Sequence, residues 1–276
     1  MINIYYCTDS KFFDQLLLSL ISLAQTTGEP VNVINLTNEN PEYTPKSKRT
    51  SAEQDALCLR VLQEANPNST FVSVDVSDLI REHLLNTPNT HNRHYKIYVA
   101  TRLLAHFVSE IPDKVLYVDS DVLFCKDIKE LWDIDVENYE MAGCPDSFFA
   151  TGRGRLTKYI QTGVMLFNMK RIRENGTFDR ALDLIKTKRF PFYIDMTALN
   201  RACKNKNKLI IPRRFNSYKW NKNAVLHHVC GLRRGKVPFT RAWFDRLKPD
   251  RAEARVLLPQ HESVYKKFDK LYNEPK

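Results

Sequence analysis

Asp119 and Asp121 stand one residue apart in KVLYVDSDVLFCKDI (residues 114–128), inside a run of mostly apolar, β-favouring residues. Along an extended chain, positions i and i+2 face the same way, so this spacing predicts two carboxylates aimed at one spot. Left unpaired in a core, they would cost several kcal/mol or take up protons. Hard oxygen ligands this close suit a divalent cation, Mg²⁺ or Mn²⁺, which also accepts phosphate oxygens. Such a cation would neutralise the charge that builds up on a departing nucleoside diphosphate. Asp127, Asp133 and Asp135 lie nearby and read as surface or capping residues.

A second chemical signal follows downstream. From Met196 to Phe244 the chain has twelve Lys and Arg and no Asp or Glu. The formal charge of the whole is +10, so the remainder sums to −2 (10 − 12). A one-sign region focuses a positive field and calls for an anionic partner: nucleic acid, a phosphorylated ligand or an anionic membrane. A phosphatase of the D-x-D-x-T type fits poorly. Its motif opens the fold, whereas D-S-D-V-L lies mid-chain, and the basic region lacks the downstream acidic pair that would hold magnesium.

The surrounding elements must position these groups. INIYYC (2–7), VNVINLT (31–37) and TFVSVDVS (70–77) read as strands, alternating with helices after Ser10 and over 51–65. That alternation predicts an α/β fold, a parallel sheet with helices on both faces. Residues 81–94 read as a polar loop, and YVATRLLAHFVSEI (98–111) as a helix leading into a strand that runs through 124. YEMAGCPD, residues 160–169 and 208–212 read as further strands, with helices over TFDRALDLIKTKRF and 195–204. The six cysteines show no C-x-x-C pair and read as reduced thiols. The start shows no signal-peptide pattern, so a cytoplasmic location is expected. The simplest organisation is one domain over 1–240 with a C-terminal extension, 241–276. The extension mixes aromatics with cations, compatible with packing on the domain or with peripheral association at the inner face of an anionic membrane.

With these landmarks in order, the chain resembles the family 8 glycosyltransferases. DKVLYVDSDVLFCKDIKELWDID is similar to that family's strand, D-x-D and Leu-Trp segment. QTGVMLFNMKRIRE resembles N-x-G-V-x-L-x-N-L, DMTALN (195–200) D-Q-D-x-L-N, RRFNS the R-F-N element, and HHVCG (227–231) H-Y-C-G. The resemblance implies a GT-A fold, Rossmann-like, with a mixed, mostly parallel central sheet flanked by helices. It also implies a UDP-sugar donor, Mn²⁺ (or Mg²⁺), a glycan, glycolipid or protein acceptor, and retention of anomeric configuration.

Carried over by position, Asp119, Asp121 and His228 would ligate the metal, with Ser120 beside the nucleotide; His227 would pack or meet solvent. Thr8 and Asp9 would meet the uracil and ribose edge, or cap a helix. Arg102 would face the donor, and Arg234 or Lys236 the diphosphate. Asp195 would bind a donor-sugar hydroxyl, and Asp146 would approach the acceptor. Two positions depart from the family pattern: Met196 stands where a Gln lies beneath the anomeric carbon, and Gln161 replaces an Asn. Met cannot act there as an amide does, so attack from the front face is expected, with Gln161 a candidate for the lost amide. A UDP-sugar-binding scaffold without turnover and a basic nucleic-acid-binding protein are the rival functions. The second leaves D-x-D unexplained and shows none of the usual modules.

Overall fold

The structure is a computed structural model that describes residues 1–45, 48–91, 96–146, 158–218, 220–229 and 259–273. The chain begins β1 (Ile2–Cys7), α1 (Phe13–Thr26), β2 (Val31–Thr37), α2 (Ala52–Ala65), β3 (Thr70–Asp75) and α3 (Ser77–His83). A 3-10 helix (Ile97–Phe107) then leads to β4 (Lys114–Val118), β5 (Val122–Phe124), α4 (Lys129–Trp132), β6 (Met141–Pro145) and β7 (Ile160–Asn168). There follow α5 (Met169–Asn175), α6 (Thr177–Thr187), α7 (Ile194–Ala202), β8 (Lys208–Ile210), β9 (Leu226–His228) and α8 (Glu262–Asn273).

Among the described residues, seven strands form the central sheet in the order β3-β2-β1-β4-β7-β6-β8. All neighbours are parallel except β7, which runs against both β4 and β6. The carboxyl ends of six strands and the amino end of β7 therefore share one edge, where sheets of this kind bind ligands. Alternation along the strands splits the apolar residues between two cores. Ile4, Tyr6, Leu116, Val118 and Leu166 pack with α1 (Leu16, Leu20) and α8 (Val264, Phe268). Tyr5, Tyr117, Met165 and Phe167 pack with Leu103, Leu104, Phe178 and Leu199 on the other face. Burial on both faces explains why these strands read as almost unbroken apolar runs.

Local chemistry sets the boundaries. Ser51 and Gln54 form a reciprocal capping box that starts α2. Gly176, at φ 60°, ends α5 in the left-handed region. Asp127 and Asp135 accept backbone N–H groups and Asp133 pairs with Lys129, in keeping with their reading as capping and surface residues.

Three sequence expectations need correction. The strand expected to run through 124 breaks after Val118: Val122 N donates to Asp119 O (3.1 Å), closing a turn, and β5 leaves the main sheet to pair antiparallel with β9. The two aspartates thus converge across a turn, not along a strand. Next, Ser77 opens α3 where a strand end was expected. Its N–H and hydroxyl both donate to the Asp75 carboxylate (3.0 and 2.5 Å), which turns the chain out of β3. Finally, the helix expected over 98–111 is a 3-10 helix, Ile97–Phe107.

The boundary expected at 240 lies outside the described residues. The described part of the extension, α8, shares the α1 core, with Val264, Tyr265, Phe268 and Leu271 buried. Among the described residues, no helix is long and apolar enough to cross a membrane.

Candidate active site

The turn after β4 presents Asp119 and Asp121 at the carboxyl edge of the sheet. Asp119 N donates to Gly163 O (2.8 Å), which ties the turn to β7. The register Val122↔His228 then lays β9 alongside, and Val229 N donates to Asp121 O (2.9 Å). His228 Nε2 lies 3.2 Å from Asp121 Oδ1 and 3.8 Å from Asp119 Oδ2. One donor atom from each of the three residues lies within 4.8 Å of the others. The carboxylates keep 25% and 32% side-chain exposure, so a ligand can reach them. His227 faces the opposite way, its Nδ1 3.0 Å from His261 Nε2 in a buried pair.

Arg102 lies beneath this triad, on the 3-10 helix. Its Nη2 donates to Asp119 Oδ1 (2.9 Å), its Nε sits 3.3 Å from Asp195 Oδ2, and its Nη1 donates to Thr162 O (2.5 Å). The guanidinium also stacks on Tyr117, 4.3 Å from the ring centroid, and the Tyr117 hydroxyl donates to Asp119. Burial opposes the Arg102 charge, but Asp119, Tyr117 and Asp195 outweigh it and hold its pKa well above the ordinary value. Burial raises Asp119 despite Arg102, whereas the His228 ring overcomes burial and lowers Asp121. Tyr193 adopts φ 49° just ahead of α7, so Asp195 falls in the first turn of that helix and accepts from Thr162 Oγ1 (3.0 Å).

The other expected residues distribute as follows. Ser120 Oγ contacts Gln15 Oε1 at 3.4 Å. The side chain of Asn35 clamps the backbone of Thr8 at both N–H and C=O (3.0 Å each), and the Thr8 hydroxyl is buried with no partner among the described residues. Asp9 accepts from Lys11 N (3.0 Å), the capping role. Asp146 directly follows β6 at the same edge, its N–H bonded to Tyr159 O (3.0 Å). Met196 is buried in α7. Gln161 Oε1 accepts from Gly163 N (2.8 Å) and from Asn216 Nδ2. Arg234 and Lys236 lie outside the described residues.

Four residues that shape the site stand inside the quoted sequence landmarks but were given no role of their own: Tyr117, Thr162, Gly163 and Asn216. Asn216 Oδ1 lies 2.9 Å from His228 Nδ1. A Cβ on Gly163 would overlap the His228 ring and sit 3.0 Å from Asp119 Oδ2. A glycine inside an apolar strand is the available signal for such a close approach.

The donor set fits a hard divalent cation: two carboxylate oxygens and one imidazole nitrogen converge, a mixture suited to Mn²⁺. Charge agrees: three carboxylates, Asp119, Asp121 and Asp195, gather around a single guanidinium.

A mostly parallel sheet with a cation-ready aspartate turn at its carboxyl edge defines a GT-A type of sugar-nucleotide transferase. Comparison with known proteins agrees. The galactosyltransferase LgtC, solved in complex with donor and acceptor sugar analogues, superposes with a TM-score of 0.64 over 96% of both chains at 18% identity. A putative glycosyltransferase of Haemophilus influenzae is 25% identical over 251 residues, 83% of this chain and 71% of its own length. Glycogenin of Komagataella phaffii is 35% identical over 85 residues, 31% of this chain and 17% of its own. The model of glycosyl transferase family 8 matches residues 3–229, and the chain belongs to that family.

Proposed function

We propose that this glycosyltransferase moves a hexose from UDP-glucose or UDP-galactose to a hydroxyl of a glycan, glycolipid or protein, with a divalent cation and with retention. The observation that carries this reading is the convergence of Asp119, Asp121 and His228 at the sheet edge. These residues would hold Mn²⁺ (or Mg²⁺), which when bound supplies positive charge to the donor's diphosphate oxygens. Arg102 fixes Asp119 and Asp195 relative to one another. Asp195 would accept from a hydroxyl of the donor sugar, Thr8 and Asp9 would meet the nucleoside, and Asp146 the acceptor. Arg234 or Lys236 would add positive charge at the diphosphate. Met196 offers no amide oxygen beneath the anomeric carbon, so the acceptor oxygen would attack from the face the diphosphate leaves. The anomeric C–O bond to the diphosphate breaks, the bond to the acceptor oxygen forms, and a leaving diphosphate oxygen takes the acceptor's proton.

The test is UDP release from UDP-glucose and UDP-galactose as Mn²⁺ is titrated. Release should rise with Mn²⁺ and fall at least about 100-fold in Asp121→Ala, with the far-ultraviolet circular dichroism unchanged. UDP-sugar binding without turnover over any acceptor would instead favour the scaffold function, for which Met196 is the motivating departure.

A further inference from the structure

The buried face of α1 is apolar except for Gln15, Ser19 and Ser22, which stand at i, i+4 and i+7 and so share one stripe of the helix. Ser19 and Ser22 are fully enclosed, where a hydroxyl without a partner is costly. The stripe follows every second residue of the segment that leaves the aspartate turn. Ser120 Oγ reaches Gln15 Oε1 (3.4 Å), Ser19 Oγ donates to Val122 O (2.7 Å), and Phe124 N donates to Ser22 Oγ (2.9 Å).

Strand alternation explains why those backbone groups need partners. The odd-numbered residues around β5 turn to β9: Val229 N donates to Asp121 O, and Cys125 N to Val225 O (2.9 and 2.8 Å). Val122 C=O and Phe124 N–H therefore face away from β9, and among the described residues no strand lies on that side. Both residues are buried, so water is no substitute. Two hydroxyls on α1 supply what a neighbouring strand would. Their polarity is fixed. Val122 O can only accept, so Ser19 gives it the hydroxyl proton and accepts in turn from the Tyr6 hydroxyl (3.0 Å). Ser22 gives its proton to Ser19 O (2.7 Å) and keeps a lone pair for Phe124 N.

We propose that Ser19 and Ser22 are positioning residues for the cation site, serving β5 as a substitute edge strand. Held there, β5 fixes Asp121 at its start and gives β9 the register that sets His228 opposite Val122. The serines act through the backbone of β5 and not on the ligand side chains. The proposal rests on the cation-dependent reading above, and it also makes a statement about the metal-free protein.

The experiment compares Ser19→Ala and Ser22→Ala with Leu20→Ala, a change between them on α1 that touches only the apolar core. Mn²⁺ affinity, read from the free-ion paramagnetic resonance signal, should fall about tenfold in each serine variant, as on loss of other outer supports of a metal site. In the metal-free protein, amide exchange should quicken about tenfold at Phe124 in Ser22→Ala, and also at Val229 in both serine variants. Leu20→Ala should lower the urea midpoint further than either serine change yet keep near-native Mn²⁺ affinity. An equal affinity loss in Leu20→Ala overturns the proposal, because the effect would then be one of general stability. So does a wild-type Phe124 amide that exchanges as freely as an exposed one. If one serine variant does not fold, the other and the wild-type exchange decide. Wild-type protein that binds no Mn²⁺ would overturn the cation-dependent function and this role with it. A Mn²⁺-binding wild type whose serine variants bind equally well would overturn the positioning role alone.

Discussion

At Gly163 one added methyl group would occupy the space of the His228 ring, and the ring has no room to retreat because it is almost fully buried. Gly163→Ala should therefore lower Mn²⁺ affinity and UDP release by at least about tenfold, checked by Mn²⁺ titration of a folded protein. Arg102 carries a different kind of dependence. It is buried against two carboxylates, and deleting one member of such a cluster typically costs about 3–5 kcal/mol. Arg102→Met should show that loss in urea unfolding at neutral pH. The sign of its pH dependence follows from Asp119, which burial raises even with the guanidinium present. Without Arg102 the folded state would bind more protons than the unfolded one between the unfolded and folded Asp119 pKa values. Its stability should then recover as pH falls through the folded value toward about 4. Loss that stays constant from pH 8 down to pH 4 would refute this. At this scale Asp119 and Asp121 were readable from their type and spacing, and His228 from its place in the stretch that resembles the family's H-Y-C-G. Asn216 was legible only as part of the R-F-N landmark, since its contacts with Gln161 and His228 lie 55 and 12 residues away.

Among the elements, α8 depends on contacts made far from its own sequence. Its buried side chains pack on α1, and His261 just ahead of it stacks on His227 of β9. Burial, and then the charge of His227, hold the His261 pKa down to about 4. Its folded value lies below its unfolded value, so the unfolded chain binds more protons between about 6.5 and 4. Stability is full above that window and falls as pH drops through it, by at most about 3 kcal/mol for this group. Urea midpoints at pH 7.5 and pH 5 should differ more in the wild type than in His261→Gln. Phe268→Ala should cost about 3–5 kcal/mol by leaving a cavity between α8 and α1. The strands of the central sheet were legible because each carries its own apolar run. The departure of β5 was not, because β5 and β9 meet about a hundred residues apart and three-residue strands carry almost no local signal.

For the whole molecule, the charge asymmetry is the feature to test. If the carboxylate-free region serves a sugar-nucleotide pyrophosphate, a donor screen should rank UDP-glucose or UDP-galactose above GDP- and dTDP-sugars. Turnover led by GDP-mannose would refute the donor assignment. Fold class and family were legible from ordered landmarks over most of the chain, since β/α alternation is a property of the whole sequence. The manner in which its pieces lock together was not, since that belongs to three dimensions alone.

The order in which the pieces are synthesised adds a last point. Among the described residues the last strand of the main sheet is β8, which ends at Ile210, yet His228 arrives eighteen residues later and α8 later still. A nascent chain can therefore complete its scaffold before it owns a finished cation pocket. Chemistry is withheld until the ribosome has delivered the chain through His228.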